Sequence, residues 1–153
     1  MSLINDRLKQ LNIVLPPAPA PAANYVPYVK SNKLIFVSGQ IPMLNGELVT
    51  GKIGKNIAIE DAKIAARLCG LAIISQLNDA TNSNLDKINR ILKLGGFVNC
   101  IDEFTQQPEI INGASDLMVE VFGDKGKHSR FAVGTNSLPR NVVVEIEAVA
   151  EIH

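Results

Sequence analysis

The most regular pattern in the chain lies in "VVVEIEAVAEI", where Val142, Val144, Ile146, Ala148, Ala150 and Ile152 occupy alternate positions and Glu145, Glu147 and Glu151 fall between them. Side chains alternate across a strand, so this run predicts a strand with its even face on a core and its glutamate face turned the other way. A different period holds between Ile59 and Leu77. There Ala62, Ala65, Leu68, Ala72 and Leu77, with Ile64, Leu71 and Ile74 beside them, follow helical spacing, and "TNSN" after Asp79 and Ala80 stops the helix.

The remaining segments are read the same way. Ser2 is placed to cap a short helix carrying Ile4, Leu8 and Leu11, which "LPPAPAPAANYVPY" cannot continue because proline lacks an amide donor. That tract is expected to be an extended arm laid along its own protein, in preference to a polyproline ligand for a partner's aromatic groove. A β-rich run at Leu34 to Val37 leads through Gly39 and Pro42 to Asn45-Gly46, the dipeptide of a tight hairpin turn. "KINRILKLGGFVNCI" predicts a strand in which Gly95-Gly96 marks a bulge or a close backbone approach. Pro108 suits the first turn of a second helix, which ends at Gly123, and two strands complete the chain. The order predicts an α+β sandwich: one sheet covered by two helices.

Phe131 and Val133 share one face of the penultimate strand, leaving Arg130 and Ala132 on the other. If the last two strands form an antiparallel hairpin with both apolar faces on the helices, Arg130 falls opposite Glu145 or Glu147, away from the helices. Val143 and Val149 lie on that same supposedly wet face, which suggests that a second subunit covers it.

Composition narrows the function classes. A chain of 153 residues fits one domain spanning 1–153, with residues 1–24 as helix and arm. Fifteen basic residues balance fifteen acidic ones and aromatics are 5% with no tryptophan, so the bulk charge and stacking platforms of a nucleic-acid binder are missing. Cys69 and Cys100 have neither C-x-x-C spacing nor a histidine cluster, so no metal site and no disulfide is expected. No secretory signal and no apolar run of about 18 residues is present, so the expected location is the cytoplasm, with no membrane partner.

Three segments, "VSGQIP", "INGASDLMVEVFG" and "SRFAVGTNSLPRNVVVEIEAVA", together resemble the RidA/YjgF family, also called the L-PSP endoribonuclease family. The most specific part is Arg130, followed nine residues later by the proline of Leu138-Pro139 and then by Glu145-Ile146-Glu147. The resemblance runs from about Tyr25 to the C-terminus. It implies a chorismate-mutase-like fold, a mixed sheet covered by two helices, assembled as a homotrimer with a central β-barrel and a cleft at each subunit boundary. It also implies hydrolysis of reactive imines and enamines, such as 2-aminoacrylate and 2-iminobutanoate, to 2-keto acids and ammonia, without a cofactor.

Carried over residue by residue, the resemblance makes Arg130 the group that holds the substrate carboxylate, a task suited to its planar fork. Glu145 becomes the residue that positions water, with Glu147 as the alternative set by register. Ser38 and Gly39 line the cleft, Tyr28 closes it in preference to Tyr25, and Asn112 stands on the neighbouring wall. Taken on its own, Ser38 reads as a turn-forming hydroxyl, and His128 as a surface histidine. Two features depart from the short members: alanine at position 132 where many relatives keep cysteine, and the N-terminal extension. They motivate a second reading, a non-catalytic trimer that binds small carboxylates or regulates a partner. A ribonuclease ranks last, because no paired catalytic histidines are present.

Overall fold

The computed structural model describes residues 2–153. Its first helix, α1 (Leu3–Gln10), is capped twice: the Ser2 hydroxyl accepts from the Asn5 amide, and the Asp86 carboxylate accepts from the Leu3 and Ile4 amides at 3.0 and 2.9 Å. These bonds satisfy amides that a helix start leaves unpaired, and the Ile4 bond is the main reason Asp86 is a stronger acid than usual. The chain then runs without helix or strand as far as Pro27. It is fastened to the next helix by Ser75 Oγ, which donates to the Pro16 carbonyl at 2.8 Å, and by Gln76 Nε2, which donates to Pro19 at 2.7 Å. The arm therefore lies on its own protein, as its composition predicts.

Strands β1 (Tyr28–Ser31), β2 (Leu34–Gln40), β3 (Met43–Leu44) and β4 (Glu47–Leu48) precede α2 (Ile59–Ala80). β1 is absent from the sequence expectation: a turn at Asn32, which takes φ of 52°, folds the end of the arm back as an edge strand. The β3–β4 hairpin turns at Asn45-Gly46, both at positive φ. The long strand β5 (Ile88–Asn99) is followed by α3 (Gln107–Phe122), β6 (Ser129–Thr135) and β7 (Val144–Ile152). α3 ends at Gly123 with φ of 61°. Gly95 and Gly96 prove to be close approaches: a Cβ on either would lie 2.6 Å from Phe131 and Ile111 respectively, whereas the register breaks of β5 lie earlier, between Ile88 and Lys93.

The sheet order β1-β2-β7-β5-β6 corrects the expected final hairpin. β6 pairs with β5 in parallel, and β7 runs antiparallel between β5 and β2, so β6 and β7 never touch as partners. The reason is topological. A strand followed by a covering helix returns alongside its predecessor in the same direction, so α3 delivers β6 to the outer edge of β5. The link from β6 to β7 then crosses the end of β5, where the fully buried Asn99 donates through Nδ2 to the carbonyls of Gly51 and Val142.

The faces follow from this register. Ile146, Ala148 and Ala150 are buried towards the helices, as alternation predicts. Phe97 pairs with Glu145 and Gly95 with Glu147 on the outer face, and Phe131 packs edge-on against Phe97 with centroids 5.2 Å apart. Phe131 is thus an outer-face residue, and Arg130 and Ala132 turn to the helix side, the reverse of the sequence expectation. Val143, expected on the wet face, is fully buried and hydrogen-bonded by backbone to Val49 and Asn99. Beside the exposed Lys93 and Glu147, that outer face leaves apolar side chains open, Phe36 and Val133 at 43% and 42%.

Candidate active site

Glu145 opens β7 beside the irregularity in β2 between Val37 and Gln40. A Cβ on Gly39 would lie 2.4 Å from Glu145 Oε1, so the carboxylate rests directly on the Gly39 backbone. Gly39 is not at positive φ; what it supplies is clearance. Among the described residues Glu145 enters no ion pair. Burial raises its pKa above the usual carboxylate value, the direction that suits a proton acceptor working near neutral pH. Glu147 is exposed on the same face.

Glu145 and Gly39 form part of the wall of a cavity of about 430 Å³, closed on another side by Pro19 to Ala23 of the arm together with Tyr25 and Pro27, and bordered by Arg140. Tyr28, the expected closing tyrosine, is elsewhere: its hydroxyl donates to Asp79 Oδ2 at 2.8 Å, a bond that raises the phenol's pKa. Tyr25 occupies the wall in its place. The Ser38 hydroxyl is spent on the Val26 carbonyl at 2.8 Å, a bond from β2 to the end of the arm and not the turn contact expected of it.

Arg130 belongs to a different cluster. Its Nη1 donates to Ser115 Oγ at 3.0 Å and its Nη2 to the Pro108 carbonyl at 3.4 Å, both on α3. Ser115 Oγ also lies 2.9 Å from His128 Nε2, while His128 Nδ1 lies 2.6 Å from the Gly126 carbonyl. A carbonyl only accepts, so Nδ1 carries a proton; in the neutral imidazole Nε2 then accepts from the serine hydroxyl, whose oxygen accepts from the arginine. The guanidinium is thereby held at two points with donors to spare. Positions 108, 112 and 115 share one stripe of a helix, so Asn112 stands between the two groups that hold Arg130. Ala132 follows two residues on and packs against the core.

Within the chain the two candidate catalytic groups do not meet. Arg130 pairs with Leu94 and Glu145 with Phe97, on opposite faces of the sheet with β5 between them. Sequence reasoning missed Ser115, although its three-residue spacing from Asn112 places both on one helix face, and Arg140, although it follows Pro139 of the recognised motif. Cys69 and Cys100 are buried free thiols, and burial lifts Cys69 well above its ordinary range, which makes it a poor nucleophile.

The pKa shift of Glu145 gives a stability test. Because its folded-state value is raised, the folded protein holds that proton more tightly than the unfolded chain does. The charged form therefore costs stability at neutral pH, and the cost fades as pH falls towards the ordinary glutamate value of about 4.3. Glu145→Gln should melt at a higher temperature than the parent at pH 7, with the gain gone near pH 4. A gain that grows with acid would contradict this account.

A mixed five-stranded sheet with two helices on one face, and a half-buried carboxylate at the wall of a cavity at its margin, define an α+β protein. Residues 5–152 match the family model described as "YjgF/chorismate_mutase-like, putative endoribonuclease". Protein TCP17 of Trypanosoma cruzi is 43% identical over 148 residues, covering 95% of this chain and 92% of that protein. The crystal structure of Atu1372, a protein of unknown function from Agrobacterium tumefaciens, is 46% identical with a TM-score of 0.90, over 99% of this chain and 94% of that one. A Shewanella oneidensis structure described in the same endoribonuclease terms is 33% identical with a TM-score of 0.93, over 97% and 99%. The chain belongs to the YjgF/RidA family and has its chorismate-mutase-like fold. No helix among the described residues is long and apolar enough to cross a membrane.

Proposed function

We propose that this protein is a homotrimeric hydrolase that converts 2-imino and 2-enamino acids, such as 2-iminobutanoate and 2-aminoacrylate, to 2-keto acids and ammonia in clefts between protomers. The observation that carries this reading is Glu145: a half-buried carboxylate with no ion-pair partner among the described residues, seated on Gly39 at the wall of a cavity. In the proposed reaction a protonated imine is already electrophilic. Glu145 takes a proton from water as the oxygen bonds to the imine carbon, and the resulting carbinolamine loses ammonia to leave the keto acid. Arg130 of a neighbouring protomer holds the substrate carboxylate with its fork, and Asn112 stands beside it. The exposed Phe36, Phe97 and Val133 supply the apolar outer face that trimer formation would cover.

A dehydratase that releases 2-aminoacrylate from serine supplies the substrate, and the rate of pyruvate appearance is the readout. Acceleration by this protein is expected, together with a loss of about 100-fold or more in Arg130→Ala. No acceleration at a dose where a short family member works would end the enzymatic reading. Ala132, in place of a thiol, favours the second reading, a binder of small carboxylates. Calorimetric binding of 2-oxobutanoate without turnover, lost in Arg130→Ala, would establish that one.

A further inference from the structure

We propose that the cavity beside Glu145 selects 2-imino acids with branched or aromatic apolar side chains, and that the proline-alanine arm is the wall that reads them. This rests on the deaminase reading above and goes beyond it to the substrate class.

The cavity is larger than a three-carbon imine needs. Its volume of about 430 Å³ falls within the roughly 300–1,000 Å³ that enclose ligands of drug size. Glu145 and Gly39 occupy one part of its wall, and most of the remainder is apolar: prolines and alanines of the arm, Ile41 and Met43. Prolines have no amide donor, so the stretch Pro19, Pro21 and Pro27 offers little to a polar or acidic side chain. Among the described residues Arg140 is the one cation on the wall, and Glu145 opposes a second anion there.

The arm is also fixed in place. Gln76, only 1% exposed, holds the Pro19 carbonyl where the wall begins, Ser75 holds Pro16, and the Tyr25 hydroxyl accepts from the Ala22 amide at 3.3 Å. A wall held at several points, with φ preset by proline, discriminates by shape without first having to be ordered. Each additional buried carbon favours binding about fourfold, so an isobutyl group should outrank a methyl group by tenfold or more.

The test generates imines with amino-acid oxidases from alanine, leucine, phenylalanine and glutamate, and follows their hydrolysis in competition with semicarbazide. Calorimetry with the matching keto acids is run in parallel. The leucine- and phenylalanine-derived imines should exceed the alanine-derived one by at least about tenfold in kcat/KM. The affinities of 4-methyl-2-oxopentanoate and phenylpyruvate should exceed that of pyruvate to match. Ala22→Trp, which fills the cavity from an exposed position on the arm, should bring the leucine-to-alanine ratio within about threefold. Equal handling of the small imine, preference for the glutamate-derived one, or a ratio unmoved by Ala22→Trp would overturn the proposal while leaving deaminase activity standing. Selective keto-acid binding with no turnover would instead overturn the deaminase reading and leave the selectivity intact. Neither binding nor turnover would remove both.

Discussion

Mixing two inactive variants should restore activity. Arg130→Ala and Glu145→Gln, each assayed alone on a 2-imino acid, are expected to lose about 100-fold or more, one through the carboxylate grip and the other through the proton acceptor. Unfolded together in equal amounts and refolded, they should recover about a quarter of the parent rate, because a cleft built between neighbours in a closed ring combines an intact arginine with an intact glutamate in about one arrangement of four. The expectation follows from the register: the two groups leave opposite faces of the sheet, with β5 between them, and cannot serve one substrate from the same chain. Recovery indistinguishable from zero, with both variants folded and co-assembled, would place the two groups in separate sites or the whole site within one protomer.

The second large effect is expected at Gly39, a residue with no side chain to contribute. In Gly39→Ala the new methyl would lie 2.4 Å from Glu145 Oε1 and 3.1 Å from its Cδ. The obstacle is the tip of a flexible side chain, and the backbone there has ordinary φ, so the fold should accommodate the change with a shift in Tm of only a few degrees. The carboxylate must move by the order of an ångström, enough to cost about 100-fold in kcat when a water has to be aligned. Steady-state kinetics beside a thermal melt separates the two effects. A large fall in Tm with kcat retained in the folded fraction would make Gly39 a structural residue only.

What was legible in the sequence were the features written in local periods and local chemistry. The alternation in β7 names its buried face because that strand is covered on one side only, α2 is visible from helical spacing with a stop at "TNSN", and α3 from Pro108 in its first turn and Gly123 at its end. Asn45-Gly46 announces its turn because few other residues accept positive φ twice in succession. Pairing was harder to read, because adjacency in the chain makes β6 and β7 look like a hairpin. The corrective signal was present: β5, α3 and β6 form a strand-helix-strand unit, and the long link through Pro139 suits a crossing better than a tight turn. The error in register carried Arg130 to the wrong face. Its contact with Ser115 and the relay to His128 depend on where α3 crosses the sheet, which no local period encodes. Tyr25 and Tyr28 were separable only by their surroundings, Asp79 for one and the cavity for the other.

The clip that ties Pro19 to Gln76 separates two properties that proteins of this size usually find hard to vary independently. The sheet and helices carry the folding energy, whereas beyond Leu15, which packs against the core, the arm is tied to α2 through the Pro16 and Pro19 carbonyls and has little freedom left to lose, since proline restricts it even in the unfolded chain. Exchanging residues between Ala20 and Ala23 should therefore reshape one wall at small thermodynamic risk. The arm is thus a natural module for grafting new selectivity onto this scaffold.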